Sequence, residues 1–347
     1  MSSHISQRDS SLDAIKGVGI LCITLLHFES GIFPDWLNLW IGLFMVNTFY
    51  FTSGWLMSLK PVLPTPKELL HRRLRQLGLP YLWFSLLILA FNLLWWMMGQ
   101  MPLKIFFRDI YKALCLCGIG TLWFLPALLG SEFLFCLLAH RKRPFLTGLL
   151  LFALSALGCW LYYHSWLPLR DLDDLHRILD APLHVFLRCF QGWPIVVLGY
   201  FGGRFLALRL PRLSRGTLIP LGLLLLGISL LLMWPKLPPL GYPGQWLSNT
   251  LPEMGLLCLF LALAKGPLLN FFAYWGKNSL ILMCTHFSIL EEIFKTFDRV
   301  VLGHPEFTGG ITLLYFLLTI LLTYPLVWLF HHKLPFFLGK APLSRPS

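Results

Sequence analysis

A lysine and a histidine lie eleven residues apart in the first apolar segment of the chain, at Lys16 and His27. A helix has about 3.6 residues per turn, so this spacing places both side chains on one helix face. Ionisable side chains are costly to bury in such a segment, and a histidine can act as a general base near neutral pH. Both residues are therefore candidates for catalysis. The alternative is that Lys16 is an anchor paired with Asp13, and that His27 is a hydrogen-bonded core residue.

Three arginines within four residues, Arg72, Arg73 and Arg75, lie in the loop predicted before the third apolar segment. Arginine binds phosphate through two parallel N–H groups, so the cluster suits the phosphates of a nucleotide-bearing donor such as acyl-CoA. The same charges also fit a second interpretation, in which they fix the topology of the chain or contact lipid head groups. The residue pattern leaves both interpretations open.

Further polar residues interrupt other apolar segments. Residues 276–279 read Gly-Lys-Asn-Ser and begin a segment that continues to His286. Irregular backbone at membrane depth is tolerated where it lines a cavity, and Ser279 and His286, seven residues apart, share a helix face. Close helix packing is the alternative for Ser53, and an interfacial anchor is the alternative for Trp123. The candidate cavity-lining residues are Ser53, Trp123, Lys277, Ser279 and His286.

The composition restricts the class of protein to which these residues belong. The 347 residues are 56% hydrophobic and only 13% charged, and the mean hydropathy is +0.69. A soluble domain carries about 25% charged residues, so this chain has too few polar side chains to cover a soluble surface. The same numbers exclude disorder, collagen and coiled coil. A membrane protein with several spans remains.

The net charge of +12 comes from basic residues in short loops between apolar segments, where they set the topology. Nucleic acid is therefore not an expected partner. The eight cysteines lie mostly within apolar segments and are expected to be small buried hydrophobic residues, so no metal site is predicted.

A helix that crosses a membrane needs about 20 mostly apolar residues. The apolar runs of this chain are continuous, which excludes a strand barrel, because polar and apolar residues alternate in such barrels. The sequence therefore predicts an all-α integral membrane protein, a bundle of about ten transmembrane helices. The predicted spans are residues 14–33, 36–59, 77–98, 121–138, 145–162, 184–207, 217–234, 247–264, 271–290 and 311–332.

The distribution of Lys and Arg predicts the orientation of these spans. If the N-terminus lies in the cytoplasm, the inner segments hold 18 of these residues and the outer segments hold 8. By the positive-inside rule, both termini are then cytoplasmic. No repeat or long polar run divides the chain, so we expect a single domain over 1–347, with short polar tails at 1–12 and 334–347. The expected location is the cell inner membrane.

Taken together, these residues resemble the motifs of the acyltransferase family 3 membrane proteins, which include bacterial polysaccharide O-acetyltransferases and fucose 4-O-acetylase-like proteins. The family pattern begins with Arg or Lys, ten residues and then His, and this chain has Lys16 and His27. Many members have Arg at the position of Lys16. The other motifs match, in order, the aromatic-x-Ser-Gly at 51–54, the Arg-x-x-Arg at 72–75 followed by Pro80 and Tyr81, the Trp-Phe-Leu at 123–125, and the Gly-Lys-x-Ser-Leu at 276–280 with the downstream His286.

The resemblance implies transfer of an acyl group, usually acetyl, from cytoplasmic acyl-CoA to a hydroxyl of a cell-surface glycan or lipid-linked saccharide. Acetyl-CoA or another acyl-CoA is then the donor substrate, no bound cofactor is expected, and the partners are acyl-CoA, the saccharide and membrane lipid. His27 and Lys16 are the implied catalytic residues, and Arg72, Arg73 and Arg75 bind the donor. His27 either acts as a general base in direct transfer or carries the acyl group covalently. The rival function is a transporter or flippase of a lipid-linked sugar.

Overall fold

The computed structural model describes residues 2–28, 31–165, 173–232, 241–263, 265–303 and 309–340. Within these ranges all regular secondary structure is helical, as the sequence predicts. Short π-helical stretches occur at Leu74–Gly78, His286–Glu291 and Asp298–Leu302. The α-helices are α1 (Ser2–Phe28), α2 (Asp35–Phe44), α3 (Asn47–Ser58), α4 (Pro66–Arg73), α5 (Leu79–Met97), α6 (Leu103–Leu114), α7 (Phe124–Ala139), α8 (Pro144–Ser165), α9 (Asp173–Leu206), α10 (Arg215–Leu232), α11 (Gly241–Leu263), α12 (Pro267–Lys277), α13 (Ser279–Thr285), α14 (Glu292–Phe297) and α15 (Gly309–His332).

The chain divides into two compact units. The first unit comprises residues 1–26, 33–63 and 192–280. The second unit comprises residues 27–32, 64–191 and 281–347. His27, at the end of α1, belongs to the second unit together with His286 and the arginine cluster.

The ten predicted spans all overlap helices, although not every helix has the length of a span. Six helical stretches in the described residues are long and apolar enough to cross a membrane. The second predicted span is divided at residues 45–46, and the ninth is divided at Asn278. The number of spans and the cytoplasmic position of both termini therefore stay predictions. The six stretches are Ser10–Phe28, Pro66–Met97, Gly120–Ala139, Ala181–Leu206, Arg215–Leu232 and Gly310–His332.

The arginine cluster lies on a helix, whereas the sequence predicts a loop there. The Thr65 hydroxyl accepts a hydrogen bond from the Glu68 backbone N–H at 3.3 Å, and the Glu68 carboxylate accepts one from the Thr65 N–H at 2.9 Å. This capping box starts α4, with Pro66 in its first turn. The π-helical stretch at Leu74–Gly78 then joins α4 to α5 without a break.

Glycines bring helices of the first unit into backbone contact. A β-carbon at Gly54 in α3 would overlap the carbonyl oxygen of Val196 in α9. A β-carbon at Gly276 in α12 would likewise overlap the carbonyl oxygen of Asp13 in α1. Small residues permit such close approach, and Gly54 is the neighbour of Ser53 in α3.

Both predicted polar tails contain helical residues within the part of the chain that the structure describes. Helix α1 already begins at Ser2, inside the tail predicted at 1–12. At the other end, a 3₁₀ turn at Pro335–Leu338 packs on α5, because Phe337 and Phe336 reach apolar rings there. The ring centroid of the fully buried Phe84 lies 5.2 Å from that of Phe337. Aromatic contacts thus continue the fold past the end of α15.

We predict that Gly54→Ala destabilises the first unit, because the new methyl group meets the Val196 carbonyl on a rigid backbone. Overpacking of this kind costs about 1–3 kcal/mol. The matched control is Gly42→Ala in α2, where a β-carbon meets nothing within 4 Å. Thermal unfolding of the purified proteins in detergent should give a lower Tm for Gly54→Ala than for Gly42→Ala. Equal Tm values would show that α3 and α9 do not pack in this way.

Candidate functional site

Two histidines 259 residues apart in sequence meet inside the second unit. His27 lies in the last turn of α1, and His286 begins the π-helical stretch that follows α13. The Nε2 atom of His286 lies 3.0 Å from Nδ1 of His27. His286 is fully buried and its Nδ1 lies 2.7 Å from the carbonyl oxygen of Leu282. The structure therefore brings together a predicted catalytic residue and a predicted cavity-lining residue.

The hydrogen bonds of this pair determine which nitrogen of His27 is basic. A carbonyl oxygen only accepts hydrogen bonds, so Nδ1 of His286 carries the proton that faces Leu282. In neutral His286, Nε2 then carries the lone pair and accepts a hydrogen bond from Nδ1–H of His27. A neutral His27 that is protonated at Nδ1 has its own lone pair on Nε2. The arrangement thus assigns basicity to Nε2 of His27.

The end of α1 that carries His27 is held by contacts with α14 and α15. The carbonyl oxygen of Phe28 accepts a hydrogen bond from the Thr312 hydroxyl at 2.8 Å. Phe28 is fully buried, and it packs in a core cluster with Phe294 and Tyr315. These contacts fix the backbone next to His27, so its ring is held in place from α1 as well as from His286.

A cavity of about 920 Å³ lies in the second unit beside the histidine pair. Phe287 lines this cavity, and its ring centroid lies 4.6 Å from that of His27. Trp123, a predicted cavity-lining residue, is part of the wall. The Arg188 guanidinium lies 4.8 Å from the Trp123 ring centroid, and Arg188 Nε donates to His184 Nε2 at 3.1 Å. A cation–π contact and a hydrogen bond thus stabilise this side of the cavity.

A buried carboxylate forms another part of the cavity wall. Asp109 in α6 accepts a hydrogen bond from Asn92 Nδ2 at 2.9 Å and pairs with Arg108 at 3.2 Å. Burial raises the pKa of the Asp109 carboxyl above its ordinary value, and the charge of Arg108 opposes this rise. The sequence reasoning missed this group. The available signal was its partner Asn92, a polar residue inside the predicted span 77–98.

Four predicted site residues belong to the first unit. Lys16 pairs with Asp13 at 2.5 Å, and both side chains are about one-fifth exposed. This contact is the one that the anchor interpretation of Lys16 requires. Ser53 is buried in α3, Lys277 is exposed at the end of α12, and Ser279 is half-buried at the start of α13. Their roles in catalysis or in a cavity stay predictions.

The three arginines of the cluster have different environments. The Nε and Nη2 atoms of Arg73 each lie 2.5 Å from a carboxylate oxygen of Glu132, which is fully buried in α7. Arg75 is exposed and donates from Nε to the Gly339 carbonyl at 3.2 Å, whereas Arg72 is half-buried. A carboxylate thus already occupies the fork of Arg73. The sequence reasoning missed Glu132, although an acidic residue inside a predicted span was a visible signal.

We predict that Arg73→Met is strongly destabilising, because it leaves the buried Glu132 carboxylate without its cation. Breaking one side of a buried pair costs about 3–5 kcal/mol. Arg72→Met, one residue away, is the matched control and should have a small effect. The double variant Arg73→Met/Glu132→Met should recover much of the lost Tm in detergent. If Arg73→Met and Arg72→Met have the same Tm, the ion pair of Arg73 and Glu132 does not stabilise the second unit.

Comparison with known proteins gives a family match over nearly the whole chain. The model of acyltransferase family 3, described as an acyltransferase domain, matches residues 9–332. The matched range includes both histidines and the arginine cluster. No curated protein and no solved structure matches the chain. From the extent of this match, the chain belongs to the acyltransferase family 3 of membrane proteins.

Proposed function

We propose that this protein transfers an acetyl or other acyl group from cytoplasmic acyl-CoA to a hydroxyl of a cell-surface glycan or lipid-linked saccharide, in the cell inner membrane. Membership of the family supports acyl transfer in general. The observation that carries the proposal is the hydrogen-bond chain from the Leu282 carbonyl through His286 to His27, beside a large cavity. A hydroxyl is a weak nucleophile and needs a positioned base, and these hydrogen bonds hold His27 in the orientation of such a base.

In direct transfer, Nε2 of His27 accepts the proton of the acceptor hydroxyl while its oxygen attacks the thioester carbonyl. The tetrahedral intermediate collapses to the ester, and the CoA thiolate leaves and takes up the proton from His27. During this cycle His27 is transiently cationic. The lone pair on Nε2 of His286, 3.0 Å from Nδ1 of His27, stabilises that cation through a charge-assisted hydrogen bond.

The covalent alternative uses the same atom. Nε2 of His27 then attacks the thioester carbonyl and the CoA thiolate leaves, which gives an acyl-imidazolium that keeps its Nδ1 proton. In a second step the acceptor hydroxyl attacks the acyl carbon, its proton passes to the CoA thiolate, and the imidazole leaves with the lone pair on Nε2 restored. His286 again holds the ring and its Nδ1 proton. Both routes therefore depend on the same orientation of His27.

For the donor, Arg72 and Arg75 are the proposed phosphate contacts, since Glu132 already binds the fork of Arg73. Both arginines lie on the segment that the orientation prediction puts in the cytoplasm, where acyl-CoA is available. Lys16, three turns before His27 on α1, is proposed to hold a negatively charged group of the donor or to orient the cavity.

The first test of this function replaces the base. We predict that His27→Gln abolishes acyl transfer, because Gln keeps hydrogen bonding but cannot accept a proton, and general base catalysis supplies about 10²–10⁴-fold. His286→Gln should lower the rate and shift its pH profile, because the charged form of His27 loses its partner. His332→Gln is the control: that histidine also faces a carbonyl four residues back, but on the exposed end of α15.

The readout is ester-linked acetyl on surface glycans, measured by mass spectrometry in a deletion strain complemented with each variant. Membrane expression of each variant must match the wild type. A His27→Gln protein that still acetylates its glycan would remove His27 from the mechanism. A deletion strain that lacks the glycan itself, instead of its acetyl groups, would favour the transporter.

The second test concerns the donor. The double variant Arg72→Ala/Arg75→Ala should bind acyl-CoA more weakly, since each charge-assisted phosphate contact contributes about 1.5–3 kcal/mol. Arg141→Ala/Arg143→Ala removes the same charge from exposed positions in another predicted inner segment. CoA affinity of the purified proteins should fall at least about tenfold in the first variant only. Equal CoA affinities in the two variants would show that Arg72 and Arg75 do not bind the donor, and would leave them the role of fixing the topology of the protein.

A further inference from the structure

We propose that the acceptor is an acidic saccharide, and that the cavity beside His27 binds its anionic group through Lys112 and Arg299, with Arg108 at the same wall. The anion is a carboxylate of a uronic acid or a phosphate of a lipid-linked sugar, which present the same charge to these side chains. This inference rests on the proposed function, because it names the substrate class of that same site.

More basic than acidic side chains line the cavity, and both of its carboxylates already pair with a basic residue. Of its two carboxylates, Asp109 is held by Asn92 and Arg108, and Glu292 pairs with Lys295 at 3.8 Å. Within the described residues Lys112 and Arg299 form no salt bridge, although the charge of Lys112 acts on Asp109. The Arg299 guanidinium donates a hydrogen bond to the neutral Gln100 amide oxygen at 3.4 Å. These two cations therefore have charge to offer a bound anion.

Aromatic rings line the same cavity and supply the flat apolar surfaces on which a sugar ring packs. They are Trp95, Tyr111, Trp123 and Phe287. The Trp95 indole N–H donates to the Thr296 hydroxyl at 3.0 Å, which fixes that ring. A binding pocket of about 300–1,000 Å³ holds a small organic ligand, so a cavity of about 920 Å³ accommodates a few sugar units.

The position of the cavity matches this use. Phe287 lines the cavity and its ring contacts the His27 ring, so the proposal puts a hydroxyl of the bound saccharide at this wall, on the side of the proposed base. Lys112 and Arg299 both lie in segments that the orientation prediction puts outside the cytoplasm, where surface glycans are found. Apolar walls next to the cations strengthen their attraction for an anion.

The test measures binding of defined saccharides to the purified full-length protein in the absence of acyl-CoA. The probes are trigalacturonic acid, its fully methyl-esterified neutral form, and N-acetylglucosamine linked to farnesyl diphosphate. The variant is Lys112→Gln/Arg299→Gln, and the control is Lys104→Gln/Lys142→Gln, which removes equal charge from exposed residues outside the cavity. Tm values establish that both variants fold.

We expect the wild type to bind an anionic probe at least about tenfold more tightly than the neutral one. Lys112→Gln/Arg299→Gln should lose this preference, and the control should keep it. If the variant loses affinity only for trigalacturonic acid, the anion is a carboxylate. If it loses affinity only for the diphosphate probe, the anion is the phosphate of a lipid carrier. If the variant does not fold, the wild-type preference must still fall as salt is raised, because exposed charges are screened.

Equal affinity for the acid and its ester would overturn the inference, as would an equal loss in the control variant. Displacement of the acidic probe by free CoA would assign the cavity to the donor instead of the acceptor. These outcomes leave the proposed function untouched, since that function depends on loss of ester-linked acetyl in His27→Gln. Conversely, binding of an acidic probe needs no acyl transfer and survives if His27 is not the base.

Discussion

The site depends on one buried chain of hydrogen bonds, from the Leu282 carbonyl through His286 to His27. Each link has a fixed direction, because a carbonyl can only accept and a neutral imidazole donates at one nitrogen and accepts at the other. The direction set at Leu282 is therefore transmitted to His27 and leaves its Nε2 as the basic atom. Full burial of His286 keeps water from competing for these bonds.

Other buried polar contacts of the second unit hold the helices that carry His27 and His286. The Thr312 hydroxyl binds the Phe28 carbonyl next to His27, and Tyr315 donates to Asp298. The bidentate pair of Arg73 and Glu132 joins α4 to α7. In each of these contacts a protein group supplies the hydrogen-bond partner. In the cavity, Lys112 and Arg299 form no salt bridge within the described residues, and the proposed anion site rests on this difference.

Hydropathy and charge predict an all-helical membrane protein and the segments on which its helices form. The reason is that a continuous run of about 20 apolar residues in a membrane satisfies its backbone hydrogen bonds only as a helix. The helix at 66–73 was missed, although the capping box of Thr65 and Glu68 is a local signal. Tertiary pairs were beyond such reasoning. Helix periodicity grouped His286 with Ser279, seven residues away, whereas the structure pairs it with His27, 259 residues away. Nothing in the local sequence determines such a contact.

The most direct test of the central claim is the protonation state of His27 itself. Nitrogen-15 NMR of histidine-labelled protein in nanodiscs, with the His27 signals assigned by their loss in His27→Gln, distinguishes the two neutral tautomers. The hydrogen-bond chain predicts a proton on Nδ1 of His27 and a lone pair on Nε2, with His286→Gln disturbing this preference. A neutral His27 that carries its proton on Nε2 would contradict the account, because the proposed base would then have no lone pair to offer the acceptor.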